Sequence, residues 1–493
     1  MPSNSGKDVV MERLIKIGKI IPKSSYEVAE SRIGIGFEKL DRDVFDPNKA
    51  YDKVARIGVK KVRIQSGWMK TEKQKGVYDF AWLDRIVSEL LSRKLQPWLC
   101  LCYGNPLYTE LAKSVYGAVG CPPVQSEEEM QAWLRYVDAT VRHFEGRIEL
   151  FEIWNEPDCA YSWKHHENET RDLMKNAYEY GVFARETAKV IKAANPSAKT
   201  CGFASVGVGD LAFVNRALST GLGEYLDYAS YHCYSTFDGD RLRTIQNYRD
   251  ILDLYNPNIK IIQGESGAQS DSRGSGAMAH FAWNRDKQTK LMLRMLVQDL
   301  YAGVEFTSYF STMDMIEALN GRVGDRASYL DYGYFGVISA DFDEDGRATG
   351  EYSEKKSYYA LSTLASLFAG DVQPKHVPVA REYLPSIRVN GTDCSDNTVL
   401  DYCFALDNGD TALVYWNSTP VLTTTYEGTV TYSVYGQKND TVRLVDLATG
   451  EVYKLPDGMV EDRMNGGIRL KNLPLTDSPL MILFGSNTEI ESV

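Results

Sequence analysis

The 493-residue sequence contains no apolar run long enough to cross a bilayer; a spanning helix needs ~20 consecutive apolar residues. It also lacks any basic stretch. Its 55 Lys and Arg stand against 67 Asp and Glu, a net charge of -12, so a polyanion would be repelled and neither nucleic acid nor membrane is an expected partner. Histidine is scarce, 6 in all, and the 8 cysteines form no Cys-x-x-Cys pair. No metal and no cofactor are expected from such a set. Cys100, Cys102, Cys201 and Cys233 lie within apolar runs and read as buried thiols, and a large core needs no disulfide staples. Cys394 and Cys403 are the one pair able to bridge two strands. The start, "MPSNSGKDVVMERLIKIGKII", lacks the unbroken apolar segment of a signal peptide. Cytoplasmic residence is the expectation; a secreted protein whose signal had been removed would begin in the same way. The sequence leaves homo-oligomerisation open.

What is abundant is tyrosine, 31 residues, with 8 Trp beside it. Flat amphipathic rings suit carbohydrate surfaces as well as cores. From Arg32 to about Gly370, short apolar runs alternate with amphipathic stretches of helical period. Eight strands are expected, beginning near Ile33, Lys60, Gln96, Ile148, Lys199, Tyr228, Ile259 and Val304. A helix after Ser126 shows both a capping box, with Glu129, and an apolar stripe of Met130, Trp133, Val137, Val141 and Phe144. Eight strand-helix units predict an α/β fold, a (β/α)₈ barrel over residues 32–370, in preference to an open doubly wound sheet. From Asp371 the helical period gives way to Thr, Val and Tyr runs between turns such as Asn408-Gly409, which predicts a β-sandwich over 371–493. Residues 1–31 are expected to pack on one of the two.

Two of the eight strands end in glutamate: Glu156 in "IELFEIWNEPDCAYSW" and Glu265 in "IIQGESG". A barrel places its reactive groups at the C-terminal ends of its strands. Simple alternation would put Leu150, Glu152, Trp154 and Glu156 on one inward face, and Ile261, Gln263 and Glu265 on another. The two carboxyl groups would then meet across the mouth. Paired carboxyls are what glycoside hydrolysis requires, one as nucleophile and one as acid and base. Glu152, at mid-strand, is expected to form a buried ion pair with Arg63.

These residues carry a family resemblance. "WNEP" on the fourth strand, "GES" on the seventh, Arg63 in "VRI" on the second and "SYHCY" on the sixth resemble clan A of the retaining glycoside hydrolases, most of all family 39 and its relatives. The resemblance implies Glu156 as acid/base, Glu265 as nucleophile and Asn155 as the ligand of the sugar 2-hydroxyl. It places Tyr309 and Phe310 where many clan members offer a Trp to the sugar. Tyr234 is expected to hydrogen-bond Glu265, and His232 to touch the nucleophile or the sugar. Trp163 and Trp283 are read either as sugar-stacking platforms or as loop packing. Trp68 and Asn105 are weaker site candidates, and His165 and His166 are expected to be solvated. The function implied is cleavage of β-glycosidic bonds in a carbohydrate substrate by double displacement. The alternatives are a glycan-binding protein without catalysis on the same scaffold, and a transglycosylase using the same glutamates.

Overall fold

The computed structural model describes residues 11, 14–206, 211–317, 322–325, 330–383, 388–389, 392–393, 398–437, 441–464 and 466–493. After an N-terminal strand β1 (Ile15–Ile20), eight parallel strands close into a barrel. They are β2 (Ile33–Gly36), β3 (Lys61–Gln65), β4 (Gln96–Leu101), β5 (Leu150–Ile153), β6 (Lys199–Ser205), β7 (Tyr228–His232), β8 (Lys260–Ser266) and β9 (Thr307–Tyr309). Pairing of β2 with β9 completes the ring.

The helices around the barrel are α1 (Tyr51–Ile57), α2 (Ala81–Ser92), α3 (Glu127–His143), α4 (Leu173–Ala194), α5 (Leu211–Leu218), α6 (Arg241–Asp253), α7 (Arg285–Tyr301) and α8 (Lys356–Leu367). Helix α3 shows why the sequence stops and starts where it does. The Ser126 hydroxyl accepts the Glu129 N–H at 3.2 Å, three glutamates occupy the first turn, and Arg142 and His143 close the last. Each choice satisfies an end group or complements the helix dipole. The Glu129 carboxylate reaches back to the N–H of Gln125, one residue before the position a capping box would use. Among the described residues, no helix is long and apolar enough to cross a membrane.

Between β9 and α8 the chain makes an excursion that alternation alone does not foresee. Two short antiparallel ribbons form within it, Met315–Ile316 with Tyr332–Gly333 and Ile338–Phe342 with Ala348–Glu354. It is tied down by the buried pair of Asp314 and Lys355 at 2.6 Å.

Beyond α8 seven strands, joined by β1, form an eight-stranded sheet that packs face to face with a four-stranded antiparallel sheet, as expected of a sandwich. The larger sheet is covered on both sides. Leu413, Tyr415, Leu480 and Ile482 face the smaller sheet, while Tyr402, Phe404, Trp416 and Met481 join the core that includes the barrel helices. That is why Thr411–Asn417 and Leu480–Phe484 are buried at every position. The seven free thiols are Cys100, Cys102, Cys121, Cys159, Cys201, Cys233 and Cys403; Cys394, the other half of the candidate bridge, lies outside the described residues.

Polar groups fasten this interface. Arg294 of α7 is 1% exposed. It donates to the carbonyls of Asp477 (2.9 Å), Thr419 (2.9 Å) and Asn417 (3.1 Å), and Asp238 accepts from the Trp416 indole at 2.8 Å. Arg294→Ala would strand these carbonyls in a dry interface. It should lower unfolding free energy by ~3–5 kcal/mol, the usual cost of removing one partner of a buried charged network. Urea unfolding would measure this; a loss below ~1 kcal/mol, as for an exposed pair, would show that water replaces the side chain.

Candidate active site

The site is built where two strands depart from regular geometry. Strand β5 stops at Ile153, and both Trp154 and Glu156 take positive φ, 69° and 51°. Such backbone costs ~1–3 kcal/mol per residue unless the surroundings impose it. Here they do. Trp154 is held among Trp133, Trp163 and Phe183, its indole N–H donating to the Ser162 carbonyl at 2.7 Å. The Glu156 N–H donates to the Ala204 carbonyl. Trp154 therefore turns out to the helix layer, against the alternation expected from Glu152, and Glu156 turns into the mouth.

On β8 the register with β7 slips at Gly264, so that Tyr231 pairs with Gln263 but His232 with Glu265. Ile262 lies in a barrel-interior cluster with Trp98, Cys201 and Phe306. Gln263, expected inside, instead accepts from the Thr307 hydroxyl at 2.9 Å and the Ser308 N–H at 3.0 Å. The slip returns Glu265 to the inner side. A side chain at Gly264 would meet the Ser230 hydroxyl at 2.3 Å, so glycine is needed for the bulge to fit.

Above the interior cluster, Arg63 holds the site together. It is fully buried, and donates to Glu152 (2.8 and 2.6 Å), to Glu265 Oε2 (2.7 Å) and to Asn155 Oδ1 (2.8 Å). Because a guanidinium only donates, Asn155 must give it the amide oxygen, which leaves the amide N–H₂ for the cleft. Glu265 Oε1 accepts from the Tyr234 hydroxyl at 2.6 Å. His232 Nδ1 lies 2.8 Å from Glu156 Oε1 and 3.9 Å from Glu265 Oε2; its hydrogen bond is with Glu156, whereas the nucleophile or the sugar was expected as its partner. One carboxylate oxygen of Glu156, one ring nitrogen of His232 and one carboxylate oxygen of Glu265 all lie within 4.8 Å of one another. That spacing could also serve a metal ion, but the Arg63 cation already occupies the Glu265 oxygen nearest His232.

Three carboxyl groups thus surround one guanidinium, since Glu38 also approaches Arg63, at 3.6 Å. Burial pushes Glu156 up to about 7 against the pull of Arg63, and pushes Glu38 up to about 8. Burial likewise pushes His232 down, which favours the neutral ring. Glu38, Asn155, Glu156, Tyr234, Glu265 and Phe310 line one cleft of about 320 Å³ at the C-terminal end of the barrel. A larger hollow of about 510 Å³ opens at the other end beside Lys61, Gln96 and Lys199, the end of a barrel that serves stability.

The aromatic candidates lie elsewhere. Trp163 is 1% exposed, packed on Tyr180 and Phe183 and donating to Glu179. Trp283 is enclosed with Ala268, Leu291 and Val421 and donates to the Met278 carbonyl. The Tyr309 hydroxyl is spent on the carbonyls of Ala268 and Phe335. In each case an acceptor inside the packing takes the ring's polar hydrogen, the Glu179 carboxylate for Trp163 and backbone carbonyls for Trp283 and Tyr309, so none of these rings faces the cleft; Phe310 does. Trp68 and Asn105 both bond to Glu72 and point away from it. His165, expected in solvent, is buried between Glu169 and Glu179, whereas His166 is exposed. Sequence reasoning missed Glu38, Lys39 and Glu317. The rule that singled out Glu156 and Glu265, an acid just past a strand's C-terminal end, applies equally to Glu38 in "IGIGFEKL".

Comparison with known proteins places this geometry. The family model of glycosyl hydrolases family 39 matches residues 38–257, a span that includes Arg63, Asn155, Glu156 and His232 but ends before Glu265. A β-xylosidase of Geobacillus stearothermophilus is 26% identical over 193 residues, 37% of this chain and 36% of that protein; the match therefore spans about a third of the curated relative's length. Among solved structures, a family 39 glycoside hydrolase from Bacteroides cellulosilyticus WH2 superposes with TM-score 0.62 at 18% identity, covering 92% of this chain and 81% of that one. A family 39 β-xylosidase from Caulobacter crescentus gives 0.54 at 16% identity, covering 95% and 98%. A family 30 endoxylanase from Clostridium papyrosolvens C71 gives 0.55 at 11%, covering 95% and 98%. The chain is similar to family 39 in sequence and shares the fold of these enzymes.

The raised carboxyls have a consequence for stability. A folded-state pKa above the ordinary 4.5 means that the folded protein binds the extra proton, so the stabilisation is complete below that value and is lost as pH rises through about 7 and about 8. Tm should therefore fall between pH 5.5 and pH 8.5. Glu38→Gln, which cannot ionise beside Arg63, Lys39 and Glu265, should flatten that slope. Thermal melts across the range would test this; parallel curves for the two proteins would show that Glu38 is already ionised in the fold.

Proposed function

We propose that the protein is a retaining β-glycosidase acting through a covalent glycosyl-enzyme. The observation that carries this reading is the approach of Glu156 and Glu265, with carboxylate oxygens within 4.8 Å. Retaining glycosidases hold the two carboxyl groups ~5–5.5 Å apart, whereas inverting ones leave ~6.5–9.5 Å for a water. The environments differ as the roles require. Glu156, at about 7, carries a proton to give to the leaving oxygen. Glu265, aligned by Arg63 and Tyr234, attacks the anomeric carbon. Once the leaving group departs, Glu156 takes a proton from water, and His232 holds it in place through both steps. Asn155 presents its N–H₂ to the 2-hydroxyl, where a hydrogen bond strengthens in the transition state. The curated relative is a β-xylosidase, so β-D-xylosides are the first substrates to try.

Variants at the two glutamates should fail differently. With a dinitrophenyl β-glycoside no proton is needed to expel the leaving group, so Glu156→Ala should still be glycosylated, and azide should release the β-glycosyl azide. Glu265→Ala forms no covalent intermediate, and azide entering from the vacated side should give the α-azide. NMR of the products decides; reversed anomers would exchange the roles, and near-normal turnover in both variants would move the site elsewhere.

The pH profile offers a second check. Free enzyme needs Glu156 protonated, so kcat/KM for a 4-nitrophenyl glycoside should fall above about pH 7. That basic limb should weaken with a dinitrophenyl leaving group; an identical limb for both would assign it to another residue.

A further inference from the structure

One carboxyl group in the cleft has no role in the reaction above. Glu38 lies two residues beyond β2 and is 1% exposed, yet no other residue gives either of its oxygens a hydrogen bond. A buried carboxyl left so is costly, because its desolvation is uncompensated. Arg63 relieves it only in part, through charge. Four of its N–H groups serve Glu152, Glu265 and Asn155, and the 3.6 Å approach of Nη1 to Glu38 is too long for a hydrogen bond. The fold nevertheless makes room for it. A Cβ at Gly36 would lie 2.2 Å from Glu38 Oε2 and 2.5 Å from Oε1, so the carboxyl rests directly on the glycine backbone at the end of its own strand. From there it lines the same cleft as Glu156 and Glu265.

Resting on the glycosidase reading, we propose that Glu38 is a sugar-recognition residue whose two oxygens bind neighbouring ring hydroxyls of the neutral sugar unit held over Glu265. A carboxyl presents two hydrogen-bonding oxygens side by side, which matches a vicinal pair of hydroxyls. The donors missing from the empty site would then come from substrate. A site built this way rejects an analogue lacking the hydroxyl, because the loss leaves the buried group unpaired again. Burial that holds the proton on Glu38 adds a donor to the acceptors, and a hydroxyl accepts as readily as it donates.

The test uses the full chain, with E38A and E38Q, on whichever of the 4-nitrophenyl β-xyloside, β-glucoside and β-galactoside the wild type cleaves fastest, and on the monodeoxy analogues of that substrate. E38A should lose about a hundredfold or more in kcat/KM and E38Q less, with Tm equal to or above wild type. Wild type should lose at least about tenfold on the analogues lacking either recognised hydroxyl, while E38A should discriminate less than about threefold against the same two. If E38A loses the same factor on every analogue as on the parent, or cleaves the parent within about threefold of wild type, Glu38 does not bind sugar and the proposal is overturned. A fall in Tm without that coupling would make it a structural counter-ion of Arg63, which also overturns it. The two readings fail separately. A Glu265→Ala variant with wild-type turnover ends the nucleophile assignment whatever Glu38 does, whereas the coupling is read from intact catalytic glutamates. A wild type that neither cleaves the three glycosides nor binds their methyl glycosides by calorimetry would overturn both.

Discussion

A single buried guanidinium organises the mouth of this barrel. Arg63 stands on β3 with Trp98 beneath it, 5.5 Å from guanidinium to ring, and its donors reach across the barrel to two other strands, β5 through Glu152 and, just past its end, Asn155, and β8 through Glu265. Take it away and Glu38, Glu152 and Glu265 would face one another without a cation in a dry interior, which no fold of ordinary stability tolerates. Arg63 cannot hydrogen-bond every acid around it, and burial raises the carboxyls left without such a bond, Glu156 and Glu38. The different environments of the glutamates thus follow from burial and from how the arginine's hydrogen bonds are allotted, not from any difference between the residues themselves.

The backbone contributes as much as the charges. Regular alternation would have sent Trp154 into the barrel and left Glu265 out of step. The left-handed turn at Trp154 and the slip at Gly264 correct both, one by aromatic packing in the helix layer and the other by the absence of a side chain. Site geometry is in this sense an expense charged to the helices, whose aromatic cluster of Trp133, Trp154, Trp163 and Phe183 holds the irregular strand end.

Much of this was legible in the sequence. The barrel strands begin within a few residues of the expected positions, because period-2 apolar runs between amphipathic helices leave little freedom. Glu156 and Glu265 stood out because an acid ending an apolar strand is costly without a purpose. What was not legible depended on three-dimensional packing. Trp163, Trp283 and Tyr309 occur in loops or at strand ends where a ring could serve the cleft or the core, and only the position of an acceptor able to take the polar hydrogen decides between them. His232 and Glu156 meet across β5 and β7, a distance set by the kink at Trp154, which no residue pattern announces. Glu38 escaped notice because a single Glu-Lys pair after glycine-rich β2 looks like an ordinary solvated turn.

The first strand carries a consequence for how the chain is made. β1 lies between Glu451–Lys454 and Ile490–Ser492 in the large sheet, so a strand made before the barrel finds its partners only after the barrel has been made. At ~5–20 residues per second that wait is roughly 20–90 s, during which the barrel strands can close while β1, with alternate isoleucines and lysines, trails unpaired. Its lysines keep that exposed edge from recruiting a neighbour's strand. The order of assembly is then inverted relative to the order in the sequence: a strand written before the barrel is paired after it.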